Sequence, residues 1–235
     1  MQKLAIFDVD GTLFEGNLGI EFLKNLLGQK LFPEEIGKAI LDWYTKYKSG
    51  EVEKAIVVDE IYKLYSQGMK GMTVEVATKV ARETFGNVTA SIYPFAKELT
   101  EKLGQQEYML ILLSGSPIEM VTELAGFLKI PSLQISAGTL EVQNGVYTGK
   151  IISYPGSAEQ KEVEITKLIE RLGIEVDWSR SLAMGDNERD QNILQKVGAA
   201  IAFEPNDVLK KLAEVSGWKT ASRENILQLL LEADN

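Results

Sequence analysis

Residues 4–7 form an unbroken apolar run that stops at Asp8, with Gly11 and Thr12 just beyond it. That is the pattern of a buried strand ending in a turn. From about residue 18 to residue 85 the apolar positions recur with helical spacing instead. Ile20, Leu23 and Leu27 share a face, Ile40, Trp43, Tyr44 and Tyr47 follow i, i+3, i+4, i+7, and Pro33-Glu34-Glu35 has the make-up of a helix first turn. Segments 52–65 and 74–85 complete about four predicted helices, separated by breaks at Ser49-Gly50 and between Gly68 and Gly71. The block contains no strand pattern.

After Gly86 the rhythm changes. Segments 94–103, 117–128, 158–172, 190–197, 206–215 and 224–231 predict helices, and 108–113, 133–136, 181–184 and 199–203 predict mostly unbroken apolar strands. Asn144-Gly145 between segments 139–142 and 146–151 predicts a hairpin. Apolar strands alternating with helices imply an α/β fold, a three-layer, doubly wound, Rossmann-like parallel sheet. Because the helical block falls between the first strand and the rest, it reads as an insertion. The expected division is a catalytic core of residues 1–15 and 88–235 and a small helical domain of residues 16–87.

Composition narrows the chemistry. The chain of 235 residues has no histidine and no cysteine. That excludes Ser-His-Asp catalysis, phosphohistidine, thiolate nucleophiles, disulfides and zinc–thiolate sites. Catalysis must then run on carboxylates, lysines, hydroxyls, backbone groups and a hard, oxygen-liking metal such as Mg²⁺. The formal charge of −9 argues against a nucleic-acid or anionic-membrane partner. The opening MQKLAIFDVD does not resemble a secretory signal, and no apolar stretch nears the roughly 18 residues of a membrane span, so the expectation is a cytoplasmic protein.

Four segments are candidates for that chemistry, three of them just past predicted strands, where doubly wound sheets bind ligands. Asp8-Val9-Asp10-Gly11-Thr12 sets two carboxylates two residues apart, so that one attacks while the other moves a proton. The plainer alternative is an acidic turn, but unpaired carboxylates beside a buried strand are costly. Ser114-Gly115-Ser116 before a predicted helix offers a hydroxyl and free N–H groups for a phosphate, or simply a serine N-cap. In Gly185-Asp186-Asn187-Glu188-Arg189-Asp190, Asp186 and Asp190 are candidate Mg²⁺ ligands, with helix capping as the alternative. Lys161 opens a predicted helix and, taken alone, reads more readily as a solvated surface charge than as a site residue.

Asp-x-Asp-Gly-Thr-Leu, then serine, lysine and Gly-Asp-x-x-x-Asp, in that order, resembles the haloacid dehalogenase superfamily. The inserted helices resemble its C1-type cap. The Ser-Gly-Ser-Pro stretch and the hairpin resemble its subfamily IB, the phosphoserine phosphatase-like group. The resemblance spans essentially the whole chain. It implies a Mg²⁺-dependent phosphomonoester hydrolase of small phosphorylated metabolites in which Asp8 becomes an aspartyl-phosphate and Asp10 is general acid and base. It also implies Mg²⁺ bound by the Asp8 carboxylate, the Asp10 main-chain carbonyl and Asp186, with Asp190 in support, and phosphate held by Ser114, Gly115 and Lys161.

The chain departs from the phosphoserine phosphatase pattern in three places. Gly156 and Lys161 are farther apart than the usual Gly-x-x-Lys, which keeps Lys150 and Lys167 as alternatives. Asn187, Glu188 and Arg189 fill the last motif where Gly-Asn-like residues are common. The cap glutamate nine residues after the nucleophile is Asn17 here, and Arg82 is the only arginine between Leu18 and Phe85. The expectation is therefore a substrate other than phosphoserine, a sugar, polyol or amino-alcohol phosphate. The Trp43, Tyr44, Tyr47 stripe reads as bundle core rather than as an aromatic cage, and Glu34-Glu35, Glu232 and Asp234 read as solvated. A phosphotransferase or mutase would use the same residues. A phosphorylated receiver fits less well, because receivers lack the insertion, and a non-catalytic module fits less well because Asp8 and Asp10 are both present.

Overall fold

The structure, a computed structural model, describes residues 1–51 and 54–231. A single sheet of seven strands forms the centre, in the order β4-β3-β2-β1-β5-β6-β7. In chain order these are β1 (Leu4–Phe7), β2 (Met109–Pro117), β3 (Ile135–Gln143), β4 (Val146–Ser153), β5 (Leu182–Gly185), β6 (Ala199–Phe203) and β7 (Lys219–Ala221). All pairings are parallel except β3 with β4. The expected α/β doubly wound fold is present.

The first strand explains why the sheet is covered on both faces. All four residues of β1 are buried. Because side chains alternate across a strand, Ala5 and Phe7 enter one apolar cluster while Leu4 and Ile6 enter the other. The Leu4/Ile6 face packs against α7 (Ala158–Leu172), α8 (Gln191–Lys196) and α9 (Asp207–Ser216), through Ile165, Leu168, Ile193 and Leu209. The Ala5/Phe7 face meets α5 (Phe95–Gln105), α6 (Ile118–Phe127) and α10 (Ile226–Leu231).

Between β1 and β2 the chain forms α1 (Leu18–Gly28), α2 (Glu34–Ser49), α3 (Lys54–Met69) and α4 (Val74–Val88). Local chemistry sets their ends. Asn17 caps α1 by accepting from Ile20 N at 2.9 Å, Gly50 ends α2 with φ +74°, and Thr73 caps α4. Phe22, Tyr62, Val80 and the strand residue Phe7 belong to one continuous apolar cluster, so these helices share the Ala5/Phe7 core. The loop into α4 also lies on the β3–β4 hairpin, where Gly71 N and Tyr147 N exchange bonds with Tyr147 O and Met72 O at 2.9 Å each.

Several boundaries differ from the pattern-based reading. The predicted strand at 133–136 is a 3₁₀ turn, Ser132–Gln134, running into β3, and β3 absorbs the separate segment 139–142. The hairpin forms as expected, with Asn144 and Gly145 at φ +52° and +77°. The predicted helix at 190–197 splits into a 3₁₀ turn, Glu188–Asp190, and α8, because Asn187 and Asp190 cap each other. β7 had no pattern to reveal it, since Lys219 and Thr220 on this edge strand are exposed. The start of the helix expected from residue 52, and Glu232 and Asp234, lie outside the described residues. Among those described, no helix is long and apolar enough to cross a membrane.

Candidate active site

β1 is flanked by β2 and β5. Phe7 pairs with Leu112 and with Met184, so Asp8 and Asp186 leave the sheet at neighbouring strand ends, while β2 runs on beside them with Ser114 still paired to Ala137 of β3. This is the point where the chain order reverses across the sheet, where such folds hold ligands. Asp8 N donates to Met184 O at 3.0 Å and fixes the exit from β1. The turn that follows requires Gly11. Its φ is +89°, and a β-carbon there would overlap the Asp186 carboxylate.

Lys161 reaches the same point from the opposite layer. A capping box at Ser157 and Gln160 starts α7, which places Lys161 in its first turn on the buried side. Lys161 is 3% exposed, and its ammonium donates to Asp8 Oδ1 and to Asp190 Oδ1, each at 2.6 Å. Burial opposes its charge, but Asp190 and Asp8 more than offset that and hold its pKa above the usual lysine value. Of the alternatives, Lys150 pairs with Glu141 and Lys167 with Glu164, both on the exposed surface and away from Asp8.

Asp8, Asp186 and Asp190 each offer a carboxylate oxygen within 4.8 Å of the others. Asp186 is pushed up to about 8, first by burial and then by the charges of Asp8 and Asp190. Burial also raises Asp190, against the opposing pull of Lys161. A cluster of this kind fits a divalent cation. It offers hard oxygen donors only, and a bound cation relieves the repulsion among them. Asp190 uses one oxygen for Lys161 and accepts Asn187 N at 3.3 Å with the other, so it also holds the loop in shape. Site chemistry and capping, posed as alternatives for this motif, coexist here.

The Asp10 carboxylate turns away from that cluster. It accepts Leu18 N at 2.7 Å through Oδ1 and Ser116 Oγ at 2.6 Å through Oδ2. Burial raises its pKa, and the bonds from Ser116 and Leu18 only partly counter this. A carboxyl that keeps its proton to higher pH suits an acid–base role. Ser114 is fully buried behind Asp10, with its hydroxyl 3.4 Å from Oδ2, whereas Gly115 and Ser116 line the cleft itself. Ser116 was not among the residues selected from the sequence. Its hydroxyl also accepts Gly19 N at 3.1 Å, which ties the start of α1 to the end of β2.

The cleft beyond these groups encloses about 840 Å³ counted out to its mouth. Its outer walls come from α1, α2, α3 and the segment after β4: Leu23, Ile40, Tyr44, Tyr47, Tyr62 and Tyr154 among others. Of the stripe read as bundle core, Tyr44 and Tyr47 line the cleft, with Tyr44 also packed against the apolar core, while Trp43 is not part of the lining. The scarcity of arginine in the inserted helices, where Arg82 stands alone, also proves incomplete as a guide. Arg189, inside the last motif, lines the cleft with its guanidinium 6.0 Å from the Tyr47 ring centre. Its position directly before Asp190 was the available signal. Asn17 lines the cleft too, with its side-chain oxygen committed to capping α1.

A profile describing haloacid dehalogenase-like hydrolases matches residues 5–195. A phosphoserine phosphatase of Archaeoglobus fulgidus is 26% identical over 229 residues, covering 97% of this chain and 59% of that protein. The chain thus spans little more than half of that relative. Among solved structures, a Bordetella pertussis protein of unknown function superposes with a TM-score of 0.78 at 20% identity, over 95% of this chain and 99% of its own. A phospho-aspartyl intermediate analogue of phosphoserine phosphatase gives 0.67 at 19% identity, over 99% and 98%. At these identities the two structures speak to the fold.

Proposed function

The chain belongs to the haloacid dehalogenase-like hydrolases, and from that premise we propose that it is a Mg²⁺-dependent phosphomonoesterase working through a phosphorylated Asp8. The observation that carries this reading is the placement of Asp8. It lies 2.6 Å from the buried Lys161 ammonium and within 4.8 Å of Asp186 and Asp190, at the floor of a cleft that Asp10 also lines. Attack by a carboxylate on a phosphate dianion needs this kind of charge neutralisation and in-line positioning.

In the first step an Asp8 oxygen bonds to phosphorus while the bond to the ester oxygen breaks. Asp10, whose hold on a proton burial strengthens, gives its proton to the departing alkoxide. In the second step Asp10 takes a proton from water as that water attacks phosphorus, and the bond to Asp8 breaks to release inorganic phosphate. Lys161 stays fixed beside Asp8 throughout, and the Gly115 N–H, on the stretch of β2 that lines the cleft, is the candidate donor to a phosphoryl oxygen. When bound, Mg²⁺ would be held by the Asp8 and Asp186 carboxylates with the Asp10 main-chain carbonyl, steadied by Asp190, and would neutralise charge on the phosphoryl oxygens. Residues 16–87 serve in this reading as a cap over the leaving group, and the substrate is a small phosphorylated metabolite.

The reading is tested by phosphate release from p-nitrophenyl phosphate and a panel of metabolite esters. Activity should need Mg²⁺, vanish in excess EDTA and fall by at least about ten thousandfold in Asp8→Asn, as expected for loss of a nucleophile. Full turnover in EDTA or in the variant would refute it.

A further inference from the structure

Among the described residues, the helical wall of the cleft carries rings, aliphatic chains and Asn17, and no carboxylate. Tyr44 and Tyr47 come from α2 with their ring centres 6.2 Å apart, and Tyr154 is stacked on Tyr62 at 3.9 Å and 16°. Leu23, Ile40, Val58 and Ile61 fill the spaces between them. Among the described residues, the charged side chains lining the cleft are Asp8, Asp10, Lys161 and Arg189, all on the strand-end side. The two acids are already committed to phosphate chemistry in the proposed mechanism. The two cations are unfavourable neighbours for an ammonium group, and Arg189 already places its charge over the Tyr47 ring. An aromatic cage for a cationic head group would need that face free.

From this we infer that the leaving group is an uncharged alcohol bearing an aromatic ring, which packs against Tyr44, Tyr47 and Tyr154, and that ammonium-bearing esters, amino acid phosphates included, are disfavoured. The inference rests on the phosphomonoesterase reading and adds the substrate class to it. A three-carbon zwitterion would leave the apolar lining of the helical wall uncovered and its ammonium without a partner among the described residues. A ring covers that lining and packs against the Tyr44, Tyr47 and Tyr154 side chains that border it.

Phosphonates, which bind without being cleaved, separate the two claims. With Mg²⁺ present, 2-phenylethylphosphonate should bind at least tenfold more tightly than ethylphosphonate by calorimetry, and 2-aminoethylphosphonate more weakly than ethylphosphonate. Tyr47→Ser should reduce the ring advantage below threefold, and Tyr44→Ser provides an independent second variant should Tyr47→Ser fold poorly. A ring advantage under tenfold in the wild type, tighter binding of the aminoethyl compound, no binding of any of the three, or an undiminished ring advantage in both variants would each overturn the inference. Phosphate release from 2-phenylethyl, ethyl and 2-aminoethyl phosphate tests the other claim. Ring-selective binding with no turnover of any ester would retain the ring site and remove the hydrolase reading.

Discussion

The two sides of the cleft are built differently. On the strand-end side each charged group is tied to another group: Lys161 to Asp8 and Asp190, Asp190 to Asn187 N, and Asp10 to Ser116 and Leu18 N. On the helix side the surface is rings and aliphatic chains, and the buried Tyr62 and Tyr65 hydroxyls have no hydrogen-bond partner. The difference has a mechanical meaning. Moving any strand-end group leaves a charge buried and unpaired, which costs several kcal/mol, so that side is held in one geometry. Sliding one ring past another costs far less. The first side is suited to fixed chemistry and the second to adjustable selection of the leaving group.

The sharpest way to break this comparison is to alter Asp10, the strand-end group that faces the leaving group. Asp10→Asn should slow hydrolysis of alkyl phosphates by about a hundredfold to ten thousandfold, the usual worth of a positioned acid–base group. It should slow p-nitrophenyl phosphate much less, since that leaving oxygen needs little protonation. Equal losses for both, measured as kcat/KM, would remove Asp10 from proton transfer. The variant keeps the Ser116 contact as an amide, so a large loss of thermal stability is not expected.

Lys161→Met probes the same side through folding. It keeps most of the side chain's length but leaves Asp8 and Asp190 buried without their cation. The expected cost is about 3–5 kcal/mol in urea unfolding, as for breaking a buried ion pair. Tyr47→Ser, on the half-buried helix wall, should cost a small fraction of that. Equal costs for the two substitutions would mean that the two sides are not mechanically distinct.

The smallest expected effect is the response of the metal-free protein to pH. Burial holds Asp10 and Asp190 above the usual aspartate range, and Asp186 reaches about 8. Between that range and about pH 8 the folded chain keeps protons that the unfolded chain has released, so stability falls as pH rises across this window. In EDTA, Tm should therefore be lower at pH 8 than at pH 5, and Asp186→Asn should flatten the dependence. Mg²⁺ at one hundred times its Kd should restore about 2.7 kcal/mol at pH 8. A Tm in EDTA that rises from pH 5 to pH 8 would contradict the assignment of a repulsive carboxylate cluster.

What the sequence determined by itself follows from local patterns. Unbroken apolar runs marked the central strands, because a strand covered on both faces has no polar side. Helical spacing marked the inserted block, and Asn144-Gly145 marked the hairpin, because only a few residues accept both left-handed turn positions. The order of Asp8, Ser114, Lys161 and Asp186 along the chain carried the family resemblance, which the match over residues 5–195 supports at the level of the family. The tertiary structure decided the rest. No spacing rule joins Lys161 to Asp8, 153 residues apart, rather than Lys150 or Lys167; that follows from where α7 meets the end of β1. Nor did the sequence show that Ser116 would grip Asp10, that Arg189 would line the cleft, or that Tyr44 and Tyr47 would line it too. A helix's apolar stripe fixes which side chains point together but not what they point at. That is set only when the helix docks, because the same rings satisfy the hydrophobic effect against a core or against a ligand-sized cavity.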